Sequence, residues 1–381
     1  MNATGADDRR APLRVLVLGG YGHFGGRIAR TLGADARFEV LVGGRDAARA
    51  AAFVAGSGEM ARPLQPVALD AGAPDLASRL QALGPDLVIH AAGPFQERDY
   101  AVAKATLAAG AHYVDLADAR DFVAGFARLD SVAREAGRLA VTGASSVPGL
   151  SAAVIEAFGP RFAALTSVET GISPGNRTPR GLATTEAILG YVGRPFAMRL
   201  EGAWRTVHGW QSLRRERYPG AGVRWLARCE VPDLGLLPSR YPQLRTCDFR
   251  AGLELRRMHF GLWLASWTVR AGLPRSLRPW AGTLLRLSER WLDAGSDIGV
   301  MHMDLAGRGV DGGPLRLRWT LVAHAGDGPQ IPCTAAIVLA RQLADGTLDR
   351  TGATACLDLF TLDDYLQALE GFAIQTSVRE R

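Results

Sequence analysis

Over the first 150 positions the apolar residues fall into short bursts, each closed by glycine or a polar turn, with helically spaced apolar residues between them. Val15-Leu16-Val17-Leu18 is a continuous apolar run that stops at Gly19-Gly20, the pattern of a strand buried on both faces. Ile28, Ala29 and Leu32 follow at helical spacing, on a helix that begins near His23, and residues 38–42 form a second strand. The alternation continues with strands at 66–70, 86–90, 112–116 and 139–142, separated by helices at 75–83, 99–109 and 122–136. Six strands with intervening helices and short loops predict an α/β fold built on a doubly wound parallel sheet.

Beyond Pro148 the pattern changes. A helix at 150–158 leads to a strand at 166–172, then to longer loops and more aromatic residues. Residues 315–323 alternate apolar and polar, as a half-exposed strand does. Helices are expected at 335–343 and 362–372. Seven of the eight tryptophans lie between Trp204 and Trp291, and the expectation is that these rings fill a second core or line a pocket.

Composition narrows the function. The chain has 381 residues, ordinary proportions of hydrophobic and charged side chains, and a net charge of +6. Lys104 is its only lysine; the other cations are arginines spread along the chain, which argues against a nucleic-acid-binding run. The cysteines, Cys229, Cys247, Cys333 and Cys356, are far apart with no metal-ligand spacing, as expected of reduced, packed thiols in a cytoplasmic protein. The N-terminal stretch lacks the apolar region of a secretory signal, and the apolar stretch 260–273 is too short to span a bilayer and contains Arg270.

The first strand, glycine turn and helix carry the clearest chemistry. In Gly20-Tyr21-Gly22-His23-Phe24-Gly25, Gly20 is assigned to a tight turn, Gly22 to close approach of a pyrophosphate, and Gly25 to helix packing. A helix start beside this turn offers N–H groups and the positive end of its dipole to phosphates, so dinucleotide binding is expected along Gly20–Gly25. At the end of the second strand, where an NAD site usually has a carboxylate, stands Arg45, which suits the 2′-phosphate of NADP. Asp46 faces the ribose or caps the next helix. Asp70, at the end of the third strand, and Ala92-Gly93-Pro94, after the fourth, complete the candidate cofactor site at the carboxyl ends of the strands.

Asp115, Asp118 and His302 are the candidates for proton transfer to a small-molecule substrate. Against this, Asp118 sits where it would cap a helix, and His302 lies on a strand where a packed histidine is commoner. Cys333 is read as packing. Tyr100 and Lys104 reproduce the Tyr-x-x-x-Lys pair of short-chain dehydrogenases, but directly after the fourth strand, and are read as a chance match.

Together, VLVLGGYGHFGGRIA, GGRD, HAAGPF, HYVDLAD, GASSVPGLSAA and IPCTAAIVLARQLADGTLDRTGA resemble the saccharopine dehydrogenase-like family. The resemblance implies a Rossmann domain at 12–149, an α+β substrate and dimerisation domain at 150–328, and a helical segment at 329–381 that packs back on the Rossmann domain. It implies an NADP-dependent hydride exchange at a C–N bond that joins an amine to an oxo acid through an imine; a homodimer is also expected. The tryptophan-rich second half departs from saccharopine reductases and leaves other readings open. These are an enoyl (C=C) reductase acting on a lipid or polyketide chain, a non-catalytic NADP-binding sensor or scaffold, and a reductase that touches a membrane surface through residues 260–292.

Overall fold

The computed structural model describes residues 11–380; residues 1–10, part of the stretch read above for a signal, lie outside the described residues. The first domain runs β1 (Leu13–Leu18), α1 (Gly25–Gly33), β2 (Phe38–Gly44), α2 (Ala47–Ala55), β3 (Gln65–Ala68), α3 (Leu76–Leu83), β4 (Leu87–His90), α4 (Ala101–Ala108), β5 (His112–Asp115), α5 (Arg120–Gly125), α6 (Asp130–Glu135) and β6 (Leu139–Thr142). These strands pair in parallel in the order β6-β5-β4-β1-β2-β3, with the switch between β1 and β4. This is the doubly wound Rossmann arrangement that the apolar bursts predict. Val15, Val17, Val40, Val42, Leu87 and Ile89 are fully or almost fully buried, because helices cover both faces of the sheet.

One expected helix, 122–136, is broken. α5 ends at Gly125, a 3₁₀ turn covers Phe126–Leu129, and α6 follows. The Tyr100 hydroxyl lies 2.5 Å from where a Cβ on Gly125 would stand, so the chain bends around that ring.

The second domain continues with α7 (Ser151–Phe158), β7 (Phe162–Ser173), α8 (Leu182–Tyr191), β8 (Pro195–Leu200), β9 (Ala203–His208), β10 (Arg214–Tyr218), β11 (Gly222–Arg228), α9 (Asp233–Arg240), β12 (Thr246–Ala251), α10 (Arg256–Arg270), α11 (Ala281–Glu289), β13 (Gly299–Gly309) and β14 (Pro314–Ala323). The chain closes with α12 (Ile331–Asp345), β15 (Gly352–Ala355), α13 (Leu362–Gln367) and β16 (Ile374–Glu380). A mixed seven-stranded sheet of order β10-β11-β12-β7-β13-β14-β16 forms the second layer system, and β8 and β9 make a separate hairpin.

The closing segment is more than helical. β15 adds a seventh parallel strand beside β6, and β16 pairs antiparallel with β14 in the second sheet. α12 lies against α1, so the end of the chain clamps the two sheets together. The helix expected to reach residue 372 stops at Gln367, and Gly371 at φ +89° turns the chain into β16.

The tryptophans divide. Trp210 and Trp319 are almost wholly buried, whereas Trp204, Trp267 and Trp280 are exposed. The expectation that these rings serve a second core holds for the first pair and for Trp263, which packs against the cluster containing Trp210; Trp267 and Trp280 lie on the outer layer formed by α10, α11 and their connection, and Trp204 lies on β9.

Candidate functional site

At the carboxyl edge of the parallel sheet the glycine turn packs more tightly than its spacing alone tells. The left-handed residue is Gly19, at φ +77°, and not Gly20. Gly20 is a close-approach position: a Cβ there would stand 2.7 Å from the Val17 carbonyl oxygen and 3.1 Å from Val42. A Cβ on Gly25 would meet the Gly19 carbonyl oxygen at 2.2 Å, so this glycine brings α1 against the turn. At Gly22 the same construction meets only the Gly19 carbonyl, which leaves the outward side open for a phosphate. α1 begins at Gly25, two residues later than expected, with Phe24 at its N-cap. Among the described residues, the N–H groups of Tyr21, His23 and Phe24 have no backbone acceptor. This cradle fits a pyrophosphate.

The far end of the dinucleotide path is built around Tyr21. Its ring lies over Gly44, where a Cβ would come within 2.2 Å of it, and its hydroxyl accepts the Asp46 N–H at 3.1 Å. The Arg49 guanidinium sits 4.9 Å from the ring centroid. Arg45 is exposed beside it at the end of β2. Asp46 takes the capping role: its Oδ1 accepts the Arg49 N–H at 3.0 Å. Asp70 accepts the Gly72 N–H at 3.0 Å, which fixes the turn after β3. Arg49 was missed from sequence, although its place four residues after Arg45 on a predicted helix was a usable sign.

After β4, Ala92-Gly93-Pro94 lies against the glycine turn; a Cβ on Gly19 would touch Ala92 at 3.1 Å. The start of α8 reaches over both turns, with Gly181 near His23 and Ala183 near Gly93. α8 then divides the space above the sheet. On one side, Glu186, Ala187, Gly190 and Tyr191 face a polar cleft of about 720 Å³ that includes Gln96, Asp118, Arg120 and Glu230. On the other, Thr184, Thr185 and Ile188 face an apolar pocket of about 240 Å³ shared with His23, Phe24, Ile172 and Met301. Burial, helped by Arg27, lowers His23 to about 4, so its imidazole is neutral at the pocket wall.

The three proton-transfer candidates separate. Asp118 stands in the polar cleft, where its Oδ1 accepts the Gln96 amide at 3.2 Å. Its side chain is open to cleft water yet surrounded by protein, and this partial desolvation raises its carboxyl above the usual range against the pull of Gln96. It does not cap α5, whose first turn has no side-chain cap. Glu230 in the same cleft is also raised by burial, with Arg120 opposing from 3.6 Å.

Asp115 is not in the cleft. It is fully buried, and its Oδ1 accepts the N–H groups of Ala117 and Gly143 and the Thr142 hydroxyl at 2.8–2.9 Å. Burial raises it to about 6, but its work is to tie the ends of β5 and β6 together.

His302 is also excluded. Strand alternation points Met301 and Met303 into the core and His302 to the opposite face, where its Nδ1 meets the Tyr218 hydroxyl at 2.7 Å. That face carries an ionic lattice in which Arg318 pairs with Glu216 at 2.9 Å and also with Asp304. Burial holds His302 near 4, and no wall of the cleft includes it.

Cys333 is buried, its thiol raised to about 12, with its Sγ 3.3 Å from the Pro329 carbonyl and 3.5 Å from the Phe24 carbonyl, which is the packing role expected. The Tyr100 hydroxyl donates to the Phe122 carbonyl at 2.9 Å, inside the fold, so the Tyr100/Lys104 pair is a chance match. Glu230 and Tyr191 had no sequence signal; they reach the cleft from distant segments.

Residues 15–141 match the family model of the saccharopine dehydrogenase NADP binding domain. The first domain is a saccharopine dehydrogenase NADP-binding domain. With it the chain is an oxidoreductase of the nicotinamide-dependent kind. Among solved structures the chain is similar to apo saccharopine dehydrogenase (L-Glu forming) from Saccharomyces cerevisiae, at 16% identity and a TM-score of 0.67, over 97% of this chain and 100% of that one. This likeness establishes a shared fold across both domains. The amine dehydrogenase from Mycobacterium smegmatis is similar at 12% identity and a TM-score of 0.49, over 92% of this chain and 96% of that one. No curated protein sequence matches the chain. The NADP-binding domain accounts for the glycine cradle, and the cleft beside it lies between this domain and the second.

Proposed function

We propose that the protein is an NADP-dependent oxidoreductase that transfers hydride to or from the carbon of a C–N bond, in a substrate with a polar, amine-bearing end and an apolar remainder. The observation that carries this reading is Asp118: a carboxylate held by the Gln96 amide in a polar cleft whose lining begins at Gln96, two residues after the Ala92-Gly93-Pro94 turn. The nicotinamide, when bound, supplies or accepts the hydride. The N–H groups of Tyr21, His23 and Phe24 hold the pyrophosphate, and Arg45 with Arg49 holds the 2′-phosphate.

In the reducing direction an imine gains a hydride at carbon and a proton at nitrogen. Asp118 keeps its proton to a higher pH than an ordinary aspartate and gives it to that nitrogen; in reverse it takes the proton back. Glu230, Glu186 and Asp118 draw a cationic amine into the cleft, and Arg120 and Arg194 meet a carboxylate on the same substrate. The apolar pocket across α8 takes the remainder. Its lining also favours a second reading, reduction of a C=C bond in an apolar chain.

The test is NADPH oxidation with a panel of amine and oxo-acid pairs, set against enoyl thioesters. Turnover with the former, and a drop of roughly 100-fold in kcat for Asp118→Asn with NADPH affinity kept, supports the C–N reading. Turnover of the enoyl compounds alone, or an unaffected Asp118→Asn, refutes it.

A further inference from the structure

The excursion between β12 and β13 is the least covered part of the molecule. α10 and α11 anchor in one apolar cluster, through Leu262, Ala265 and Val269 from the first and Ala281 and Leu284 from the second, over Trp210. Their other faces have no layer above them. Leu264 on α10 is 61% exposed and Leu273 in the connecting turn 79%, and Trp267, Trp280 and Leu287 are also exposed. These five are half of the large exposed apolar side chains among the described residues, gathered into 24 positions. Monomeric proteins rarely leave such residues together without a partner.

Charge identifies the partner. Between residues 256 and 290 there are seven arginines and one acid, Glu289, so this stretch holds a charge of +6, equal to that of the whole chain. The arginines as a class are spread along the sequence; here it is the acids that are missing, and the ion pair that reaches into the stretch among the described residues is Arg278 with Glu97 at 3.3 Å. A face-to-face contact with a second copy would set +6 against +6. A nucleic acid would match the charge but has no place for Leu264, Leu273 and Leu287, which cannot stack on bases. Tryptophan and leucine bordered by arginine match the boundary between anionic headgroups and acyl chains.

We propose that the α10–α11 excursion docks on an anionic phospholipid bilayer, with Leu264, Trp267, Leu273, Trp280 and Leu287 entering the headgroup boundary and the arginines on lipid phosphates. The contact is peripheral: among the described residues no helix is long and apolar enough to cross a membrane. Docking also orients the site. Ser276, Arg278 and Pro279, in the connection between the two helices, line the polar cleft, so docking brings the cleft beside the headgroup layer. The surface stands on exposure and charge and does not depend on which bond the enzyme reduces.

The test is co-sedimentation of the full chain with vesicles of phosphatidylcholine alone and of phosphatidylcholine with one-third phosphatidylglycerol. The expected result is roughly ten-fold or stronger preference for the anionic vesicles, weakened by salt, with a blue shift of tryptophan emission. The double variant Leu264→Glu/Leu273→Glu loses that binding by roughly ten-fold or more, while its thermal unfolding and its NADPH titration stay as in the parent chain. Three results overturn the proposal. One is no binding to anionic vesicles at low salt, or binding that survives in the double variant. Another is a dimer of the parent chain that Leu264→Glu/Leu273→Glu dissociates, which makes a second copy the occupant. The third is binding of a short DNA duplex as tight as that of vesicles and untouched by the double variant.

Discussion

Gly25→Ala is the sharpest probe of the cofactor cradle. The added Cβ would stand 2.2 Å from the Gly19 carbonyl oxygen, 2.8 Å from the Gly19 carbonyl carbon and 3.1 Å from the Gly20 Cα. All three are backbone atoms of a turn held by the Gly19 and Gly20 N–H bonds to the Gly43 carbonyl, so no side chain can move aside. Relief to an ordinary contact needs α1 to shift by about 1 Å, and overpacking of this kind costs about 1–3 kcal/mol. The same shift carries the N–H groups at the head of α1 out of register with a phosphate, and a displacement of about 1 Å can cost about 100-fold. The neighbouring glycines grade the effect: Gly20→Ala meets the Val17 carbonyl at 2.7 Å and Gly22→Ala meets only the Gly19 carbonyl at 3.0 Å. Gly56→Ala, at 3.4 Å from the Ala52 carbonyl, is the control. Chemical denaturation and NADPH calorimetry should therefore rank the losses of stability Gly25 > Gly20 > Gly22, with Gly56 neutral. Gly25→Ala should also lose NADPH binding. A Gly25→Ala protein that keeps the parent stability and affinity would refute the packing argument.

Arg45→Ala should weaken NADPH by about ten-fold, the lower end of what a charged hydrogen bond gives because this guanidinium is exposed, and leave NADH unchanged; equal losses for both nucleotides in calorimetry would remove the 2′-phosphate role. Stability should fall as pH drops from about 7 to about 5, read from denaturant midpoints. Burial holds His23, His90, His112, His259 and His302 near 4, below the unfolded value of 6.5, so the unfolded chain takes up protons that the folded chain refuses. Asp115, raised to about 6, and Asp233, raised to about 7, act in the opposite sense, as do Asp118 and Glu230, which burial also raises, but the five histidines lie farther inside this pH window and outweigh them; a midpoint that rises on acidification would contradict this balance. Asp233→Asn should accordingly stabilise the protein above about pH 8 and change little near pH 5, since it removes a buried group that must otherwise ionise. None of the four cysteines should react with a thiol reagent in the native protein, because all are buried; rapid labelling of Cys333 would mean that α12 opens from the glycine turn.

The sequence carried the first domain because its strands are apolar on both faces and stop at glycines, a pattern with few other solutions. It carried less of the site, since the residues of the cleft come from separate segments: Asp118 follows β5, Tyr191 ends α8, and Glu230 lies between β11 and α9. Two misreadings had signs against them. Tyr113 and Asp115 share one face of a strand by its two-residue period, and a tyrosine on a buried strand already places the aspartate inside. Met301, Met303 and Leu305 mark the core face of β13, which puts His302 and Asp304 on the other. β15 was invisible because Gly-Ala-Thr-Ala is short and weakly apolar; it is a strand because β6 offers it an edge and Arg138 and Asp130 bind its first amides.

The partition made by α8 bears on which substrates the shared two-domain fold can hold in this chain. A substrate with charge at both ends needs one polar cavity, and the first cleft could serve it alone. Here α8 turns Thr184 and Ile188 toward a pocket lined by Ile172, Met301 and Phe24, while Glu186 and Tyr191 line the polar side. The apolar pocket reaches the glycine turn at His23 and Phe24, the polar cleft begins at Gln96 just after the Ala92-Gly93-Pro94 turn, and the start of α8 lies near His23 and Gly93. On the proposed reading, a substrate that fills both has its polar end at Asp118 and its apolar end in the pocket lined by Pro174 and Leu253. On that reading the helix that separates the pockets sets the substrate class, and the glycine turn beneath it holds the cofactor.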